Sequence, residues 1–398
     1  MSRERIRALV EDLLQVDPEA EPAPDQLPLA VPPFGELEVI EAIEALLEGR
    51  VTMGRRVQAF EEAYAAHTGS RHAIMVNSGS SALLVMLEAL IETGRLSRGQ
   101  EVVLPAVGWS TDLFSLVQTG LRPVLVDIDE ETLCIEGSHD RPVLAVHLLG
   151  CPSAVESPLL LEDACAAHGA EVDGQRVGSR GICGVFSFFF SHHITTGEGG
   201  MITTSDPELA DAARSLRAHG WIRERSDRAS LEASYPETDP RFLFVSRGYN
   251  LRPTELAGAF GIHQLPRLDD YVARRRANHR DWCGHISSLG LPLRVFPEPK
   301  GRAHAGFGFP VLLNEDSPLS RAELCAHLEA RGIQTRPISG SNLARQPASA
   351  RISELRIEGE LPIANAVHER GFFVGQSHVF GSNQRELLAE SLVDALAG

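Results

Sequence analysis

Between residues 73 and 204 short apolar runs alternate with stretches whose apolar residues recur at helical spacing, and this alternation constrains the fold more than any other feature of the chain. Ala73 to Asn77, Glu101 to Leu104, Pro123 to Val126, Val143 to His147, Pro158 to Glu162, Val185 to Phe189 and Met201 to Thr204 read as strands, with helices at Ser80 to Leu90 and Thr111 to Gln118. Strands this short, apolar and separated by helices predict an α/β fold, a doubly wound and mostly parallel sheet covered on both faces.

The flanks read differently. Residues 2 to 16 predict a short amphipathic helix, and residues 18 to 33 hold six prolines, which predicts an extended arm. Helices follow from Phe34 to Glu48 and through Phe60, Tyr64 and His67, joined by the turn Thr52-Met53-Gly54. Downstream come one long helical stretch from Thr254 to Ser288, a strand at Gly306 to Leu313, a helix at Arg321 to Arg331, a loop at 339 to 342 and a terminal helix from Asn383. The expected organisation is an N-terminal helix and arm over 1–33, a large α/β domain over 34–265 and a smaller α+β domain over 266–398.

A formal net charge of -17 would repel a phosphate backbone at long range, so nucleic acid is not an expected partner. No run approaches the roughly 18 apolar residues of a membrane span, and Glu11 and Asp12 interrupt any signal-peptide core. Cys134, Cys151, Cys165, Cys183, Cys283 and Cys325 form no C-x-x-C pair and fit reduced, mostly buried thiols in a cytoplasm. The 15 histidines contain no HExxH or clustered spacing, and no metal site is expected.

Three segments carry chemistry. Val76-Asn77-Ser78-Gly79-Ser80-Ser81 lies between a strand and a helix and gathers N–H groups and hydroxyls at a helix N-terminus, a site for a phosphate; the same serines can equally serve as caps. Leu161-Glu162-Asp163 puts a carboxylate at a strand's C-terminal end, where open α/β sheets bind ligands, although Asp163 taken alone reads first as a capping residue. Ser187 to Gly200 runs from a strand through His192 and His193 into a Gly-rich turn. Adjacent histidines on an extended chain point to opposite faces, so one of the two is expected to be structural. The Phe188 to Phe190 run is expected in the core.

These segments, in this order, resemble the PLP-dependent sugar aminotransferases of fold type I. Gly54 with Phe60 and Glu61, Trp109 after Leu104-Pro105, Asp127-Ile128-Asp129, Gly248-Tyr249-Asn250-Leu251-Arg252 and Gln264-Leu265 extend the resemblance along almost the whole chain from Phe34. It implies that Asp163 pairs with the cofactor's pyridine nitrogen and Trp109 stacks on its ring. Gly79, Ser80 and Ser187 would hold the phosphate, with Asn250 reaching in from the neighbouring subunit of a homodimer.

One position departs from that pattern. Aligned on Thr195-Thr196-Gly197-Glu198-Gly199-Gly200, His192 stands where the aminotransferases carry the lysine that attaches the cofactor. An imidazole cannot form that link, but it suits proton transfer near neutrality. The substitution is similar to that in the PMP-dependent 3-dehydratases of nucleotide-linked 4-keto-6-deoxy sugars, and Arg336-Pro337-Ile338, Asn342 and His368 to Gly375 match that branch, its GDP-linked members above all. The resemblance implies PLP/PMP as cofactor, His192 as catalytic base, L-glutamate as amino donor and ammonia as product. A sister branch holds an iron-sulfur cluster on four cysteines; only Cys165 matches one of those positions, so no cluster is implied. Ala166 and Gln376 depart from the branch's pattern, and Arg336 and Arg345 are candidate contacts for an anionic group. Two other readings remain at this stage, an aminotransferase-like enzyme with a different substrate and a scaffold that has lost its activity with its lysine.

Overall fold

A computed structural model describes residues 3–396. Its centre is an eight-stranded sheet whose strands we label in chain order: β1 (His72–Val76), β2 (Glu101–Pro105), β3 (Arg122–Val126), β4 (Val143–Val146), β5 (Leu160–Asp163), β6 (Cys183–Ser187), β7 (Gly200–Thr204) and β8 (Arg356–Ile357). The spatial order is β1-β7-β6-β5-β4-β2-β3-β8. Only β7 runs against the others, pairing antiparallel with both β1 and β6. The parallel strands therefore end along one edge, and β1, β5 and β6 deliver Asn77, Asp163 and Ser187 to it. The central strands are buried along nearly their whole length, as a sheet covered on both faces requires.

Helix Gly79–Glu92 covers one face of the sheet. Ser78 caps it by accepting the Ser81 N–H at 3.1 Å, and Ala82, Leu83, Met86, Leu87 and Leu90 form its buried stripe. At the sheet edge, Met75 of β1 is closed by side chains in place of a further strand. Its N–H donates to Glu61 Oε1 at 2.7 Å, and its carbonyl accepts from Arg217 at 2.6 Å. Arg217, 3% exposed, also pairs with Glu61 at 2.5 Å and Glu224 at 2.6 Å. This buried network stops the edge from templating another strand and joins helix Arg55–Thr68 to the sheet.

The expected long helix from Thr254 to Ser288 is in fact two, Glu255–Gln264 and Leu268–Ser288, with a single 3₁₀ turn at Leu265–Arg267 between them. Pro266 lacks the N–H needed to continue the first helix, so the axis turns there. The C-terminal part builds an antiparallel sheet from Leu293–Val295, Gly308–Leu313, Gly371–Gly375 and Thr335–Pro337, with a core around Trp282, Phe309 and Phe372. Two features were not foreseen. Leu27 of the proline-rich segment is fully buried in that core and bridges Ile333, so the arm is packed. Residues 338 to 367 return to the large sheet, adding β8 to its edge and burying Ile338, Leu343, Leu361 and Val367 in the large core. The first helix spans Arg3–Leu13, shorter than expected; residues 1–2, and 397–398 beyond the terminal helix, lie outside the described residues. No helix among the described residues is long and apolar enough to cross a membrane.

Replacing Glu61 with Ala leaves the Arg217 guanidinium short of its nearest carboxylate and the Met75 N–H unpaired. We expect a loss of about 3–5 kcal/mol in urea denaturation, the usual cost of breaking a buried ion pair from one side, and a much smaller loss for Glu62→Ala on the exposed face of the same helix.

Candidate active site

The cradle at the strand ends is built by glycines. A Cβ on Gly79 would stand 2.7 Å from Ser187 Cβ and 3.0 Å from Cys165 Sγ, and one on Gly200 would stand 2.2 Å from the Ser78 carbonyl oxygen. Only glycine lets the first turn of helix Gly79–Glu92 lie against β6 and β7. Ser80 is exposed at that turn, its hydroxyl 2.9 Å from that of Thr111, so the N-termini of two helices meet there. Ser187 is the last residue of β6, and its Oγ accepts weakly from the Phe189 N–H at 3.3 Å. Gly79, Ser80 and Ser187 thus lie on one rim, where free helix N–H groups favour an anion.

Asp163 ends β5 and is 9% exposed; its Oδ1 accepts the Cys165 N–H at 2.9 Å. Trp109 is the N-cap of the next helix along the edge and is 57% exposed. Its N–H donates to Asp112 Oδ2 at 2.8 Å, an N-terminal capping arrangement that fixes the residue carrying the indole. Segment 340–343 hydrogen-bonds alongside, Gly340 N–H to Gly108 O at 2.8 Å and Leu343 N–H to Ala106 O at 2.7 Å, and so walls the site beside Trp109.

His192 sits in the turn after β6, with its backbone N–H on Phe189 O at 3.0 Å and its ring 5.2 Å from that of Phe307. Desolvation pushes its pKa down to about 4, the negative charge of Asp163 partly opposing. The imidazole is therefore neutral near pH 7, and its buried Nδ1 has no hydrogen-bond partner. The loop is clamped by Gln264, whose Oε1 accepts the Thr195 N–H at 2.9 Å and whose amide donates to the Thr195 carbonyl. His193 is fully buried with Nε2 on Ala305 O at 3.0 Å, pointing away from the rim. Of the three phenylalanines expected in the core, only Phe188 is there, packed 5.1 Å from Phe60. Phe189 and Phe190 are 45% and 41% exposed, because β6 ends at Ser187 and the chain then turns outward.

Lys300 is the single lysine in the chain, and it is exposed on the turn at 300–301 beside Asp173, next to the small three-stranded sheet. Asn250 is not brought to the rim. It is exposed, and its Oδ1 accepts from Arg252 at 3.0 Å, although the Leu251 carbonyl accepts the Asn77 N–H at 3.0 Å and anchors the segment next to β1. Arg345 pairs with Glu369 at 2.6 Å on the surface, and Arg336 donates to the Thr335 carbonyl. Gln376 is buried with neither amide atom partnered.

Sequence reasoning missed two residues of the site. His168 donates from Nε2 to the Ser187 carbonyl at 2.8 Å and accepts the Tyr64 hydroxyl on Nδ1 at 2.8 Å, which supports Ser187 from below; burial pushes its pKa down to about 3. Asp112 lies buried against Asp163. Its position three residues after Trp109 was the available signal, since that spacing lets a helix's first turn cap its own start.

The model of the DegT/DnrJ/EryC1/StrS aminotransferase family matches residues 34–392. The GDP-4-keto-6-deoxy-D-mannose 3-dehydratase of Yersinia pseudotuberculosis is 37% identical over 379 residues, covering 90% of this chain and 95% of that protein. The structure of the E. coli GDP-4-keto-6-deoxy-D-mannose-3-dehydratase with bound hydrated PLP superposes with a TM-score of 0.84 at 32% identity, covering 92% and 99% of the two chains. A GDP-4-keto-6-deoxymannose-3-dehydratase structure with a trapped PLP-glutamate geminal diamine matches with a TM-score of 0.83 at 31% identity, covering 92% and 100%.

The depressed pKa of His192 has a testable sign. An imidazole that takes up protons near pH 6.5 when unfolded but only near 4 when folded adds stability above pH 6.5 that is lost as the pH falls toward 4. His192→Asn is expected to flatten the pH dependence of the urea midpoint over that window by about one proton, leaving the midpoint above pH 7 little changed.

Proposed function

The chain belongs to the DegT/DnrJ/EryC1/StrS aminotransferase family, and on that premise we propose that it removes the C3 hydroxyl of a nucleotide-linked 4-keto-6-deoxyhexose as a PMP-dependent 3-dehydratase. L-Glutamate provides the amino group and ammonia carries it away. The observation that carries this reading is His192 in a chain whose one lysine, Lys300, is an exposed turn residue elsewhere. The two 3-dehydratase structures named above bear hydrated PLP and a PLP-glutamate adduct, which supports the cofactor and the donor. Guanosine diphosphate is the nucleotide of these relatives and the first to test.

The residues fit a pyridoxal-type cofactor. Gly79 and Gly200 let the helix's first turn pack against β6 and β7, which gathers the N–H groups and hydroxyls of Gly79, Ser80 and Ser187 where a phosphate would bind. Asp163 offers a carboxylate to a ring nitrogen, and the open indole of Trp109 offers an aromatic face. When bound, the cofactor supplies an electron sink for bonds broken beside its 4′ carbon. Asp163 keeps the ring nitrogen protonated. His192, neutral near pH 7, would take a proton at the cofactor's 4′ carbon and pass one to the C3 hydroxyl as it leaves as water. Phe307 and Phe189 flank the imidazole and limit the water that could compete for that proton. In sum, glutamate loses two electrons and its nitrogen to become 2-oxoglutarate and ammonia, and the sugar exchanges its C3 hydroxyl for hydrogen. A homodimer in which Asn250 completes the phosphate site of the partner accounts for that residue's exposed position. Six free cysteines suit a reducing cytoplasm.

Purified protein given PLP, L-glutamate and a panel of nucleotide-linked 4-keto-6-deoxyhexoses is expected to release one ammonia per 3-deoxy-4-keto sugar, read by mass spectrometry. An amino sugar without ammonia would overturn the proposal. His192→Asn should bind PLP as wild type does and lose ammonia release by about a hundredfold or more, within the usual contribution of a general base. His192→Lys should bind PLP covalently, as a mass increase that survives denaturation after borohydride reduction. Gly79→Val, which drives side-chain atoms into Ser187, should raise the Kd for PLP by about tenfold or more, through overpacking.

A further inference from the structure

Asp112 is 1% exposed in the first turn of helix Ser110–Gln118, and its environment is unusual for a carboxyl group. Oδ2 accepts the Trp109 N–H at 2.8 Å and lies so close to Gly108 that a Cβ there would stand 2.7 Å away, so the chain needs glycine at 108 to admit this carboxyl. Oδ1 is buried with no hydrogen-bond partner if the group is ionised. No arginine, lysine or histidine among the described residues pairs with Asp112; Asp163 lies against it from β5, and the Cys165 thiol is the other titratable group facing it. Two carboxylates in contact in a buried site cannot both be charged cheaply. A proton shared between them removes the repulsion and gives Oδ1 a role as donor.

We propose that Asp112 is a positioning residue that stays protonated and donates a hydrogen bond from Oδ1 to the Asp163 carboxylate, tying the ring-nitrogen partner and the Trp109 backbone into one rigid unit. The inference rests on the cofactor reading for its purpose, though not for its geometry. Burial and the neighbouring negative charge of Asp163 both raise the Asp112 pKa well above the ordinary carboxyl range, in keeping with the shared proton. Asp163 is thereby the acceptor of this bond, with its rotation about the strand end restricted by a second bond besides the one from Cys165. The arrangement follows the rule for paired carboxyl groups, whose environments split them into one acid and one base.

Two variants test this. Asparagine keeps the shape, donates from its amide and cannot titrate; leucine keeps the bulk and cannot donate. In the cofactor-free protein a carboxyl with a raised folded pKa adds stability that is lost as the pH rises through that pKa. Asp112→Asn should therefore hold its urea midpoint better than wild type as the pH is raised from 5 to 9; matching profiles would overturn the shared proton. In a titration with PLP alone, Asp112→Asn should bind within about threefold of wild type, and Asp112→Leu about ten- to a hundredfold more weakly, the usual effect of losing a hydrogen bond to a charged group. Equal affinity for leucine and wild type, with circular dichroism unchanged, would overturn the positioning role. Both measurements omit the sugar, so a protein that passes them and turns over no 4-keto sugar refutes the dehydratase and leaves Asp112 in place. If no variant and no wild type binds PLP, the cofactor reading and the positioning role fail together, while the pH profile still decides the shared proton.

Discussion

The site depends on the parallel register of β4, β5 and β6. Val146 pairs with Asp163, and Asp163 with Val185, so the sheet ends its strands in a row and hands each following residue to the same edge. Beneath that row, Glu162 is fully buried, and although desolvation raises its pKa, His147 Nε2 at 3.2 Å and the Gly181 N–H at 2.8 Å bring it down overall, so it stays ionised, with the Arg180 N–H donating at 2.9 Å as well. That knot locks the three strands and the turn before β6. Neighbouring acids therefore play different parts: Glu162 points down and secures the sheet, and Asp163, on the opposite face by the two-residue period of a strand, points to the site.

The alternation of strands and helices was legible because every central strand is buried on both faces and so reads as an uninterrupted apolar run. The strands after residue 290 were harder to read. Leu293–Val295, Thr335–Pro337 and Arg356–Ile357 are two or three residues long and partly exposed, and no periodicity is visible at that length. The turn at Pro266 was visible as a residue and was overridden by the helical pattern on either side of it. The packing of Leu27 against Ile333 joins residues some 300 positions apart through a proline-rich segment, and nothing local announces such a contact.

The placement of Gly79, Ser80, Asp163 and Ser187 at one sheet edge was legible because they follow or end strands in this class of sheet, whereas His192 stood out only through the family resemblance. The second layer was not. His168 supports Ser187 through its carbonyl, and Asp112 meets Asp163 only once helix Ser110–Gln118 has docked on the sheet. Asn250 shows the opposite case, a residue whose motif was plain in the sequence and which the structure leaves exposed, paired only with Arg252.

What separates this site from an aminotransferase's is His192 at the position of the lysine, in a chain whose one lysine, Lys300, is exposed on a turn. A lysine both holds the cofactor and returns a proton to the carbon bearing the new nitrogen; a neutral imidazole wedged beside Phe307 can only accept and release a proton where it stands. The most direct measurement of that difference is the position of solvent hydrogen in the product. With the reaction run in D2O and the sugar examined by NMR, the account predicts deuterium at C3 beside an intact C4 ketone. Deuterium at C4 beside a new amine would contradict it.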